Sequence, residues 1–177
     1  LCRDMKLADR NIVLIGMPGV GKSTIGVLLA KALGYHFLDT DVFIQALQGK
    51  SLQEMIDRDG LTAFCQAEED YILYLDATNT VIATGGSVVY SDHAMRHLAE
   101  QGVVIHLDLP VERIEERLRN LQTRGVVMAQ GQTIRSLFAQ REPLYRQYAQ
   151  ITIDATNKNH DDLVTEIIAT LRQGTSS

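Results

Sequence analysis

Cysteine is scarce in this 177-residue chain. Cys2 and Cys65 lie far apart, with no C-x-x-C spacing. That excludes a disulfide framework and fits a reducing compartment. Long apolar runs are missing as well. None approaches the length of a membrane span, and no signal-peptide pattern is present. The expected setting is the cytoplasm, with no membrane partner. Excess positive charge is also absent. A formal net charge of −5 disfavours non-specific nucleic-acid binding. There is no internal repeat, low-complexity tract or linker. A length of 177 residues holds one full core but not two comfortable ones. The expectation is a single, monomeric domain over 1–177 with its core from about 11 to 172; the first ten residues carry no fold signal.

Charge is unevenly spread. Residues 111–150 hold seven of the twelve arginines, no lysine and only four acids. Most of these arginines read as solvated helix faces. Arginine without lysine also suits planar partners such as phosphate and carboxylate.

Short apolar runs recur at 11–16, 36–40, 80–86, 103–109 and 151–156. Most are continuous rather than alternating, as strands buried on both faces are. Helix-patterned segments separate them at 22–33, about 41–57, 61–75, 92–100, 111–119, 132–148 and 160–172. Strands alternating with helices predict right-handed βαβ units, and so an α/β fold with a parallel sheet. The piece "NLQTRGVVMAQGQ" (120–132) has no clear period and is the candidate mobile loop.

"GMPGVGKST" (16–24) fits G-x-x-x-x-G-K-[ST] through Gly16, Gly21, Lys22 and Ser23. An apolar strand pattern leads in, and a helix pattern leads out. Glycines let backbone N–H groups turn inward onto phosphate oxygens, and the helix directs its positive end at the same spot. The nucleotide-binding stretch is thus Gly19, Val20, Gly21, Lys22, Ser23 and Thr24. Lys22 can bridge two phosphates, and the Ser23 hydroxyl can ligate Mg²⁺. The motif predicts ATP and Mg²⁺ and leaves the acceptor open. Magnesium also wants an acid at a neighbouring strand end. Asp108 stands at one, with Pro110 and Glu112 after it as in a helix N-cap. Asp39 and Asp41 in "FLDTD" stand at another, where capping is again the plain alternative.

The phosphate loop, "FLDTD", "VIATGG" and "REPLY" together resemble the shikimate kinases, from about Asn11 to Leu171. The resemblance implies a three-layer P-loop kinase fold with five parallel strands in the order 2-3-1-4-5. It implies transfer of phosphate from ATP to a small hydroxy acid, best matched by shikimate. By that likeness Asp39 reaches Mg²⁺ through water, and Asp41 contacts the acceptor hydroxyls and helps deprotonate one. Gly85 and Gly86 offer backbone amides to the acceptor. Arg124 closes with a lid over 120–132, Arg141 holds the acceptor carboxylate, and helices over about 41–75 line the acceptor site. Arg117 stacks on adenine, with His160 near the opposite side.

Three departures stand out. "DGLTAFCQAEED" carries Cys65 where the family motif has an arginine that helps hold the acceptor carboxylate. On residue chemistry alone Cys65 reads as a small apolar core residue rather than a reactive thiol. Arg58, seven residues earlier and before Gly60, does not read as a substitute. Ser87 replaces a third glycine, either bringing a hydroxyl to the acceptor floor or capping the next segment. Gly125 follows Arg124 where proline is usual. A relative with another acceptor, or a non-catalytic nucleotide binder, therefore stays open. His93 and His97 read as surface groups, His36 and His106 as packed, and Glu68, Glu69 and Asp70 as a solvated acidic face.

Overall fold

A computed structural model describes residues 10–120, 126, 128 and 131–173. Among them β1 (Asn11–Ile15), α1 (Lys22–Leu33), β2 (His36–Asp39), α2 (Thr40–Gln48), α3 (Leu52–Leu73) and β3 (Thr80–Ala83) come in order. A 3-10 turn (Val88–Tyr90), α4 (Asp92–Gln101), β4 (Gly102–Asp108), α5 (Val111–Asn120), α6 (Ile134–Tyr148), β5 (Ile151–Asp154) and α7 (His160–Gln173) complete the chain. Every strand pair is parallel, as the alternating pattern predicted, and the sheet order is β2-β3-β1-β4-β5, as the resemblance implied.

The order dictates the layers. The step from β1 to β2 runs one way across the sheet, and the step from β3 to β4 runs the other. Right-handed crossovers then put α1 and α4 on opposite faces. α7 packs on α1, and α3 packs on α4. Strand β1 is sealed from both sides, with Ile12, Val13, Leu14 and Ile15 wholly inaccessible, which explains its unbroken apolar run. Edge strand β2 corrects the expectation of full burial. Its four residues are only partly covered, and His36 is exposed rather than packed. His106, on central β4, is buried as expected and stacks on Tyr145 with ring centroids 5.2 Å apart.

Reversal of chain direction at β1 opens a crevice beyond the carboxyl ends of the strands. Register lines those ends up, since Ala83 of β3 pairs with Leu14 on one side and Asp39 on the other. The segments leaving β1, β2 and β3 therefore converge.

One helix boundary differs from expectation. The pattern suggested helices over 41–57 and 61–75, but α2 stops at Gln48 and α3 runs on through residue 60. Gly49 ends α2 in the left-handed region (φ 63°), with its N–H on the Gln45 carbonyl. Ser51 then opens α3 with a capping box: its hydroxyl accepts from the Glu54 amide, and the Glu54 carboxylate accepts from the Ser51 amide at 2.7 Å. Gly60 still interrupts the helical geometry (φ 85°, ψ 162°), as a kink within α3 rather than an end. Replacing Ser51 by alanine should lower the unfolding free energy by about 1 kcal/mol. Urea denaturation checks this, and an unchanged midpoint would contradict the capping assignment.

Candidate active site

The turn after β1 is held open by backbone conformation. Gly16 sits at φ 143°, and a Cβ there would lie 2.8 Å from the Leu107 carbonyl oxygen. Gly21 caps α1 at φ 106° with no side-chain cap, and no acid stands in the first helical turn. The helix start is thus left positive and unblocked, a fit for phosphate. Lys22 folds back across the loop. Its ammonium donates to the carbonyls of Gly16 (2.7 Å) and Met17 (3.0 Å). Burial pushes its pKa down to about 8, against the opposing charge of Asp41. Val20 is buried beneath the loop, while Ser23 and Thr24 are exposed.

Asp39 caps α2 with one carboxylate oxygen and meets the phosphate loop with the other. Oδ1 accepts from the amides of Asp41 (3.0 Å) and Val42 (3.2 Å), which caps α2. Oδ2 accepts from the Ser23 hydroxyl at 2.6 Å. A hydroxyl and a carboxylate oxygen side by side at the phosphate loop form a hard oxygen set suited to Mg²⁺. Asp108 does not act as the cap of α5. Its carboxylate pairs with Arg146 at 3.5 Å, and the Pro110 carbonyl receives the first helical amides.

Asp41, two residues on, turns into the crevice. Burial raises its pKa to about 6, with Lys22 opposing and Asp39 adding. Its Oδ1 lies 2.5 Å from where a Cβ on Gly85 would stand, and Glu68 Oε1 lies 2.6 Å from the same point. Only glycine leaves room for that meeting. The Gly85 amide itself donates to Thr40 Oγ1 at 3.0 Å, a correction to the expectation that it faces an acceptor. Gly86 is likewise constrained, since a Cβ there would lie 2.8 Å from Arg141 Nη1.

Arg141, only 1% exposed, comes in from α6. Its Nε donates to the Tyr90 hydroxyl at 3.0 Å, and its guanidinium lies 5.1 Å from the Tyr90 ring centroid. A planar cation so fixed can take a carboxylate bidentately. Ser87 settles its own alternatives. Its side chain does not cap the 3-10 turn but donates to Glu68 Oε2 at 2.6 Å.

Glu68 corrects the reading of a solvated acidic face, because it is 2% exposed. Burial raises its pKa to about 7; the Ser87 hydrogen bond opposes this and the Asp41 charge adds to it. Oε1 has no hydrogen-bond partner among the described residues. The sequence did hold a signal: Phe64, Glu68 and Ile72 recur every four residues, and all three are buried. Cys65 is half-buried against the small cluster of Ile44, Leu52, Met55 and Phe64, broadly as expected. Burial raises its thiol pKa, so it is not a thiolate. It also lines a cavity of about 200 Å³ with Gln66, Glu68, Ser87 and Tyr90. Arg58 is 61% exposed and paired with Asp59, so it does not substitute.

Across the phosphate loop, Arg117 Nη1 donates to the Val20 carbonyl at 3.0 Å and ties α5 to the loop. It lines a second cavity of about 320 Å³ with Leu109, Arg113, Glu116, Asn157 and Lys158. His160 starts α7, exposed and outside that lining. Arg124 and most of 120–132 lie outside the described residues. His93 pairs with Glu69, His97 bonds the Leu75 carbonyl, and no cluster of three or more metal-ligating side chains occurs among the described residues. No helix of the described residues is long and apolar enough to cross a membrane.

Glu68 binds its proton more tightly in the fold than at its ordinary value of 4.5. Between that value and about 7 the folded state holds a proton that the unfolded state has lost, so stability falls as pH rises through the window. Glu68→Gln should flatten that decline in urea unfolding between pH 5 and 8; an unchanged slope would contradict the assignment.

Known proteins bear on this geometry. The shikimate kinase family model matches residues 18–172. A shikimate kinase of Persephonella marina is 36% identical over 164 residues, covering 92% of this chain and 99% of that protein. One from Paracidovorax citrulli is 39% identical over 154 residues, covering 84% of each. The solved shikimate kinase of Acinetobacter baumannii, in complex with shikimate, superposes with a TM-score of 0.84 at 29% identity over 97% of both chains.

Proposed function

The chain belongs to the shikimate kinase family, and from that premise we propose that it transfers the terminal phosphoryl group of Mg·ATP to the 3-hydroxyl of shikimate. The observation that carries the reading is the convergence of Lys22, Asp41, Glu68 and Arg141 beside the phosphate loop. That convergence supports a reading in which a lysine meets phosphate, an acid meets a hydroxyl and an arginine meets a carboxylate.

Phosphoryl transfer asks a protein mainly for positioning and charge neutralisation. The chemistry supplied by the bound groups is a transferable phosphoryl from ATP and neutralisation of its oxygens by Mg²⁺. The amides of Gly19 to Lys22 and the start of α1 would hold the phosphates, with Thr24 at the same end. Ser23 and Asp39 Oδ2, 2.6 Å apart, would hold the metal. Asp41, as the carboxylate beside the Gly85 floor, would accept the proton of the attacked hydroxyl. Arg141, fixed by Tyr90, would bind the acceptor carboxylate, with Gly86 and Ser87 forming the floor. Arg117 would flank the adenine, with His160 at the far side. Arg124 would bring its charge to the transferring group when the 120–132 lid closes and excludes water.

A second reading keeps the chemistry and changes the acceptor. Cys65 favours it, since a carboxylate held by Arg141 alone is held less firmly. ADP release with Mg·ATP and shikimate, beside other hydroxy acids and polyols, separates the two. Saturable turnover with shikimate is expected; turnover only with another compound would transfer the assignment to it. Asp41→Asn should lower kcat by about a hundredfold or more with ATP binding retained, and near-normal kcat would remove Asp41 as the base.

A further inference from the structure

We propose that Ser87 is a positioning residue for acceptor binding, acting through Glu68 in place of a cationic side chain at position 65. The inference rests on the acceptor reading above. Positions 65 and 68 are one turn apart on α3, so each is the other's neighbour on the helix surface. Cys65 brings no charge to that pair, because burial keeps its thiol protonated. Glu68 therefore has no cationic partner from the preceding turn of its own helix. Its carboxylate is buried, and the hydrogen bond that orients it comes across the crevice from the Ser87 hydroxyl, 2.6 Å from Oε2.

Fixing one carboxylate oxygen fixes where the other points. Oε1 is directed at the Gly85 floor, beside Asp41 Oδ1, with no hydrogen-bond partner among the described residues. A buried acceptor so placed asks for a hydroxyl donor on the bound molecule. The other charged groups acting on Glu68 are Lys22 from α1, Asp41 from α2 and Arg141 from α6. The two departures in sequence thus meet at one side chain: Cys65 gives Glu68 no cation from its own helix, and Ser87 gives it a donor that glycine could not.

The test compares wild type with Ser87→Ala, Glu68→Ala and the double variant. Shikimate affinity is read by calorimetry, KM and kcat by ADP release, and folding by thermal melts. Ser87→Ala should raise the shikimate Kd and KM about tenfold, leaving the ATP KM within about twofold and kcat nearly unchanged. Added to Glu68→Ala, it should cost nothing more. In a Cys65→Arg background its cost should shrink to about twofold or less. A well-folded Ser87→Ala protein with wild-type shikimate affinity overturns the proposal. So does a full loss repeated on Glu68→Ala, or an equal loss with Cys or Arg at position 65. A wild type that neither binds nor phosphorylates shikimate sinks the acceptor reading, and this proposal with it; a wild type that does both, beside an unaffected Ser87→Ala, sinks this proposal alone.

Discussion

Asp39 divides its two carboxylate oxygens between two elements, and the geometry of the crevice depends on that division. Oδ1 caps α2 and so fixes the direction in which the chain leaves β2. Oδ2 reaches the Ser23 hydroxyl and ties that strand end to the phosphate loop two strands away. The cap starts α2 at Thr40, so Asp41 stands in the first helical turn with Oδ1 against the Gly85 segment. A strand end, a helix start and a phosphate cradle are thereby locked into one frame. The Gly85 segment completes it through Thr40, whose hydroxyl accepts the Gly85 amide.

Inside that frame the chain buries an unusual concentration of charge. Lys22, Glu68 and Arg141 are all less than one tenth exposed. Unpaired, each would be costly to remove from water. Together they hold one another: acids pull the Lys22 pKa up against desolvation, and Lys22 and Arg141 pull the acids down. Desolvation still wins for Lys22, Asp41 and Glu68. Such a site is poised to exchange protons and to receive a ligand rich in oxygen. The cavity beside Cys65 is lined by two acids, Glu68 and Glu69, and by the hydroxyls of Thr62, Ser87, Tyr90 and Ser91, together with Gln66, Val88 and Ala94.

Much of this was legible in the sequence. The unbroken apolar run of β1 announced a strand sealed on both faces, and the glycines and lysine after it announced a phosphate cradle opening a helix. Asp39 and Asp41 were legible as a pair, though only the structure showed that the Asp39 carboxylate both caps α2 and meets the Ser23 hydroxyl. The helix boundary at 49–51 was misplaced because apolar period outweighed local signals: Gly49 and the S-x-x-E of Ser51 to Glu54 were present but weaker to the eye. Glu68 was misread because three acids in a row suggest water, while its spacing with Phe64 and Ile72 pointed inward. His36 was misjudged for a different reason, since no local pattern tells an edge strand from a central one. Nor could spacing reveal that Ser87 meets Glu68, nineteen residues apart in sequence.

Nucleotide calorimetry asks whether Asp39 joins a bound Mg²⁺ to the phosphate loop and α2. ATP affinity would be measured with and without Mg²⁺ for wild type and for Asp39→Asn, an exchange that preserves the cap acceptor. The account predicts that Mg²⁺ tightens ATP binding to the wild type, and that the exchange abolishes most of that gain while metal-free affinity stays the same. A full magnesium effect in Asp39→Asn would contradict it.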